Sequence, residues 1–141
     1  MDPRDYLRVA ATLVHVDDPA HRRSAVQRAY YAAYGVAALA LSGKFGCEIP
    51  SSGESHGRVR QILQDCGDPA LELAGDLLKD PYDWRVTADY EHHDPAPESP
   101  ANARDAIELA ERIIRVVDQA TEEPRRARLS PRFKQWRRKK K

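Results

Sequence analysis

The sequence predicts an all-α fold: an antiparallel four- to five-helix up-down bundle with a basic C-terminal tail expected to be flexible. Three observations predict it. An Asp or Ser followed by Pro occurs at Asp2-Pro3, Asp18-Pro19, Asp68-Pro69, Asp80-Pro81 and Ser99-Pro100. Each pair is a helix-start signature, because the side-chain oxygen accepts from a free backbone N–H and proline's missing donor costs nothing in the first turn. After these pairs, apolar residues recur at steps of three and four. No segment alternates apolar and polar residues as a half-buried strand would.

After Pro3, residues Tyr6, Val9, Ala10, Leu13 and Val14 define an amphipathic helix. After Pro19, one stripe holds Val26, Ala29, Tyr30, Ala33, Ala37, Ala40 and Leu41, with Tyr31, Tyr34 and Ala38 beside it. More than one side of this helix should be covered, which makes it the central one, and its small residues let neighbouring backbones come close. Gly43 and Gly46 supply its exit. Residues 44–54 read as a loop. A short helix then carries Val59, Ile62, Leu63 and Cys66 and stops at Gly67. The next runs from Pro69 through Leu71, Ala74, Leu77 and Leu78 until Asp80-Pro81 kinks it or starts another, bearing Trp84, Arg85, Ala88, Asp89 and Tyr90. Pro95, Pro97 and Pro100 mark an extended connection. A final helix places Ala106, Leu109, Ala110, Ile113, Val117 and Ala120 on one face.

With 141 residues and 41% hydrophobic content, the chain supports one core. Residues 1–123 are read as the bundle and 124–141 as the tail. The formal net charge of +1 conceals an asymmetry: residues 125–141 carry ten Lys or Arg and no acid, leaving 13 basic against 22 acidic side chains in the rest. The apolar stretch Ala32–Leu41 is about half of what a bilayer-spanning helix needs, so no membrane association is expected. Met1-Asp2-Pro3-Arg4-Asp5 lacks the basic-then-apolar order of a secretory signal. With only Cys47 and Cys66, reduced thiols and a cytoplasmic location are the expectation.

Two strings carry a family resemblance. Ser24-Ala25-Val26-Gln27-Arg28-Ala29-Tyr30-Tyr31-Ala32-Ala33-Tyr34 resembles the opening helix pair of bacterial and archaeal HEPN proteins, and Arg85-Val86-Thr87-Ala88-Asp89-Tyr90 resembles that family's second signature. The two together span roughly residues 3–120. The resemblance implies a HEPN-like bundle and a metal-independent ribonuclease acting as a homodimer on RNA. Many such proteins are toxins of toxin–antitoxin or phage-defence systems, with four to six residues standing between an Arg and a His. Arg85 is followed by six residues and then His92, with His93 adjacent. In members paired with a nucleotidyltransferase antitoxin a Tyr lies two residues after the His; here Asp94 stands there.

Metal-free cleavage needs a group to take the ribose 2′-OH proton, one to stabilise the attacked phosphate and one to protonate the leaving oxygen. Imidazole and guanidinium supply these. The catalytic candidates are therefore Arg85 and His92, supported by Asp89, His93, Tyr90, Ser24 and Arg28. If the helix persists, a seven-residue step favours His92 over His93 on the face of Arg85. The axial gap is then about 10 Å, so two copies of the segment must converge in a dimer. The plainer readings are an intrahelical Arg85–Asp89 ion pair, solvated histidines at a helix end, and core or interface roles for Tyr30, Tyr31 and Tyr34. His15, His21 and His56 read as surface residues. Cys47, His56 and Cys66 form no metal-ligand pattern, and neither a metal nor a cofactor is expected. In the tail, Arg132, Phe133, Lys134, Trp136, Arg137, Arg138 and Lys139 combine cations with rings suited to phosphates and bases. The alternatives are a non-catalytic HEPN module binding a protein, nucleotide or RNA, with Arg85 and Asp89 serving structure, and the accessory subunit of a nucleotidyltransferase.

Overall fold

The computed structural model of the chain describes residues 1–137, and all regular structure among them is helical apart from one isolated bridge between Cys47 and Arg137. The helices are α1 (Arg4–Leu13), α2 (Pro19–Leu39), α3 (Ser55–Asp65), α4 (Pro69–Leu77), α5 (Lys79–Tyr90), α6 (Pro100–Thr121) and the short α7 (Arg125–Leu129). A π turn over Ala40–Lys44 and 3₁₀ turns over Ala96–Glu98 and Ser130–Trp136 complete the path. The helices outnumber the four to five expected because α4 and α5 are separate and the tail adds α7.

Local chemistry explains most of the boundaries. Asp18, Asp68 and Ser99 accept from the backbone N–H of His21, Leu71 and Asn102, each ahead of a proline in the first turn. Asp2 accepts from Arg4 N–H at 2.9 Å. Asp80 is the exception: Leu78 closes α4 and opens α5, so Asp80 lies inside the first turn of α5 and makes no cap. α3 ends at Gly67, whose φ of +81° is open to glycine at little cost.

α2 lies at the centre and packs against α1, α5 and α6, while α3 packs against α4. Its buried residues are Ala25, Val26, Ala29, Tyr30, Ala32, Ala33, Val36 and Ala37, on more than one side of the helix. α1 approaches closely enough that a Cβ on Gly35 would lie 2.6 Å from Pro3 Cβ. The larger core side chains come from elsewhere, among them Leu41, Ile62, Leu63, Leu71, Leu78 and Ile113.

The C-terminal segment corrects the expectation of a flexible tail. Leu129 is buried and Phe133 is fully buried, its ring stacked on Phe45 with centroids 4.2 Å apart. Glu48 N–H donates to the Trp136 carbonyl at 2.8 Å. Arg137 Nε donates to Phe45 O, and its Nη2 donates to Ser130 O. Arg125 pairs with Asp68 at 3.2 Å. A boundary at residue 123 therefore does not separate two bodies: apolar side chains spaced through the basic sequence fasten it to the bundle. Arg138 and Lys139 lie outside the described residues.

Candidate functional site

The two strings that suggested a site, far apart in sequence, meet where α2 packs on α5. Arg85 Nη1 donates to Asp89 Oδ2 at 3.0 Å, and Gln27 Nε2 on α2 donates to Asp89 Oδ1 at 2.6 Å. The Arg85 guanidinium carbon lies 5.6, 5.7 and 5.2 Å from the ring centroids of Tyr30, Tyr31 and Tyr82. Arg85 is only 8% exposed, and its Nε finds no acceptor among the described residues. Burial works against its charge, but the hydrogen bond to Asp89 and the neighbouring tyrosines and carboxylate outweigh it and raise the pKa above the ordinary arginine value. The bland expectation of an Arg85–Asp89 pair is thus part of the fold.

α5 ends at Tyr90, and His92 and His93 form an exposed turn beyond it. The seven-residue helical step therefore does not position His92. Its ring folds back instead, with Nε2 2.9 Å from the Asp89 carbonyl oxygen. Asp89 thus touches both candidates, Arg85 through its carboxylate and His92 through its backbone. Tyr90, expected to support the site, is 73% exposed. Arg28 stacks on Tyr6 at 5.5 Å, a contact to α1. Ser24, in the second turn of α2, is partly buried. Trp84 is partly exposed and, with Thr87 and Asp94, lines a cavity of about 270 Å³ beside the His92 turn.

Sequence reasoning missed Arg23. Its guanidinium reaches the carbonyls of Thr87, Ala88, Glu91, His92 and Asp94, and pairs with Glu98 at 2.7 Å. One side chain therefore caps the C-terminus of α5 and holds the His92 turn. A sequence signal exists, since Arg22 and Arg23 near the start of α2 face the positive end of the helix dipole and need partners elsewhere.

His56 was also misread as a surface residue. It is half-buried, 2.5 Å from the Tyr30 hydroxyl through Nδ1, and its ring centroid lies 4.4 Å from that of Tyr34. Tyr34 in turn donates to Ser55 Oγ at 2.6 Å. Burial, with Arg85 and Arg60 adding repulsion, pushes the His56 pKa below the usual imidazole value. Burial likewise raises the Tyr30 phenol well above its ordinary range, against the opposing pull of Arg85. The phenol therefore keeps its proton and stays neutral beside the imidazole.

The tail's aromatic candidates behave differently from one another. Phe133 is sealed in the core and is not available to stack on bases. Trp136 is half-buried, with the Arg58 guanidinium 5.5 Å from its ring centroid. Arg132 and Lys134 are exposed, whereas Arg137 is occupied by backbone acceptors. Among the described residues there is no cluster of three His, Cys, Asp or Glu side chains able to hold a metal, and no helix long and apolar enough to cross a membrane. Compared with family models, curated proteins and solved structures, the chain matches none.

Proposed function

We propose that the chain is a metal-independent endoribonuclease acting as a homodimer, the toxin half of a toxin–antitoxin or phage-defence pair. The observation that carries this reading is Asp89, which holds the Arg85 guanidinium with its carboxylate and the His92 imidazole with its carbonyl oxygen. The mechanism follows from these groups. His92 takes the proton from a ribose 2′-OH. The 2′-oxygen attacks phosphorus, the bond from phosphorus to the 5′-oxygen breaks, and the partner copy's imidazole protonates that leaving oxygen. The products are a 2′,3′-cyclic phosphate and a 5′-hydroxyl end. Arg85 supplies positive charge to the attacked phosphate from a desolvated position, where charge acts more strongly than in water. Trp84 and Tyr90, exposed on α5, offer an apolar surface to the second copy.

The burial of Arg85 favours a second reading, in which Arg85 and Asp89 fasten α5 to α2 and the chain binds RNA, a nucleotide or a protein without cleaving. A nucleotidyltransferase or an antitoxin would be such a protein partner. Incubation of pure protein with labelled RNA and a chelator separates the two: cyclic phosphate ends support the nuclease, intact RNA the binding module. Under the first reading His92→Ala and Arg85→Ala each abolish cleavage while His92→Ala leaves the melting temperature unchanged. A strictly monomeric particle in solution would remove the composite site.

A further inference from the structure

On the other side of His56 the surface opens into a cleft of about 560 Å³ lined by Glu54, His56, Arg58, Arg60, Tyr82 and Trp136, among others. Its two arginines are arranged alike. Arg58 lies over the Trp136 ring and Arg60 over the Tyr82 ring, at 5.5 and 5.2 Å. Neither has a carboxylate partner among the described residues, although nearly every other half-buried arginine here is paired or donates to a carbonyl. A second open cleft, of about 570 Å³, begins at the sequence neighbours of Trp136 and is lined by Arg132 and Lys134.

We propose that these clefts bind a single strand of RNA, Arg58 and Arg60 taking its phosphates and the Trp136 ring taking a base. The proposal rests on the RNA-handling reading above and adds to it a binding surface outside the Arg85–His92 segment. Three features select this ligand. An arginine parked on an aromatic face can exchange the ring for a phosphate, which leaves the ring free to stack. Both clefts are open grooves flanking one 3₁₀ turn, a shape that suits a passing strand better than an enclosed small molecule. Residues 1–124 carry more acidic than basic side chains, so a polyanion is favoured where arginines without carboxylate partners adjoin the basic segment after residue 124. The imidazole of His56 adds a polar ring to the cleft beside the two arginines, and Glu54 is the one carboxylate in the first cleft.

The test uses the full chain and a labelled, uncleavable 2′-O-methyl oligonucleotide in chelator. The chain has two tryptophans, so Trp84→Phe leaves Trp136 as the sole reporter. The strand should quench Trp136 emission, and Arg58→Gln/Arg60→Gln should weaken binding about tenfold and flatten the log–log salt dependence by about 1.4, near 0.7 per phosphate lost. Unchanged Trp136 emission on binding, or unchanged affinity in the double variant, would overturn the proposal. So would equal quenching by a mononucleotide with no gain from the strand, which would assign the site to a free nucleotide. Failure of the nuclease reading looks different: strand binding through Arg58 and Arg60 with no cleavage of ordinary RNA keeps the cleft and removes catalysis. Cleavage by Arg58→Gln/Arg60→Gln at unchanged KM does the reverse.

Discussion

Replacing Arg23 by alanine tests whether one side chain holds the His92 turn. In the folded protein its side chain is 12% exposed, and the guanidinium donates to five backbone carbonyls and pairs with Glu98, whose side chain is 30% exposed. Not all of this is lost on truncation. The Thr87 contact is long at 3.4 Å, and Glu91, His92 and Asp94 are exposed residues whose carbonyls regain water. Counting the Glu98 pair and the contact to Ala88 at about 1 kcal/mol each, plus a remainder for stem packing, gives a loss of ~2–3 kcal/mol. For a domain of this size that lowers the melting temperature by roughly 10 °C. Thermal unfolding followed by circular dichroism reads the loss, and amide exchange should accelerate over residues 87–94 while α6 stays protected. Arg23→Lys should recover only part, since an ammonium cannot span so many acceptors. A melting temperature within about 3 °C of the parent, with unchanged exchange over the turn, would show that Arg23 is not the clasp.

The remaining predictions address the core, the segment after α6 and the buried titrating groups. Phe133→Ala should cost ~3–5 kcal/mol in chemical denaturation, because it empties a fully buried site against Phe45; a loss under about 1 kcal/mol would mean the segment is not docked. Gly35→Ala should destabilise by ~1–3 kcal/mol, since the new methyl meets Pro3 at 2.6 Å. His56 has a folded pKa below its unfolded value, so the unfolded chain binds more protons in that interval; its stabilising contribution is present above the unfolded imidazole pKa and is lost as the pH falls through the folded one. His56→Gln should flatten the acid side of the stability profile below the ordinary imidazole range, and an unaltered slope would refute this. Burial pushes the Cys47 thiol up to about 11 and raises Cys66 as well, so thiol reagents should label both slowly in the native protein and faster in Phe133→Ala, where the cover over Cys47 loosens.

What could be read from the sequence was whatever neighbouring residues decide. The caps at Asp18, Asp68 and Ser99 and the stop at Gly67 depend on a few adjacent backbone groups, and all are found. Asp80 carries the same two-residue signature and fails, because Leu71, Leu78 and Ala88 are all buried and the chain keeps turning to bury them. The average charge of the segment after α6 hides the apolar side chains that dock it. The spacing of Leu129, Phe133 and Trp136 at steps of four and three is a helical stripe, visible without any structure. The role of His56 was not legible, and for Arg23 the sequence indicated only that its charge needs a partner away from its own helix end, not which one. Each is defined by partners 26 to 75 residues away, and nothing in the adjoining sequence encodes a tertiary neighbour. The Arg85–Asp89 pair was legible as an i, i+4 contact; its enclosure by three tyrosine rings was not.

Five of the eight buried positions on α2 are alanines, so the axle of the bundle is thin and its neighbours rest almost on its backbone. Such a joint has no slack: a single added carbon has nowhere to go, as the approach of Pro3 to Gly35 illustrates. Added volume is tolerated only at the periphery, as at the exposed ring of Tyr90, where a larger or smaller side chain leaves what lies beneath it undisturbed.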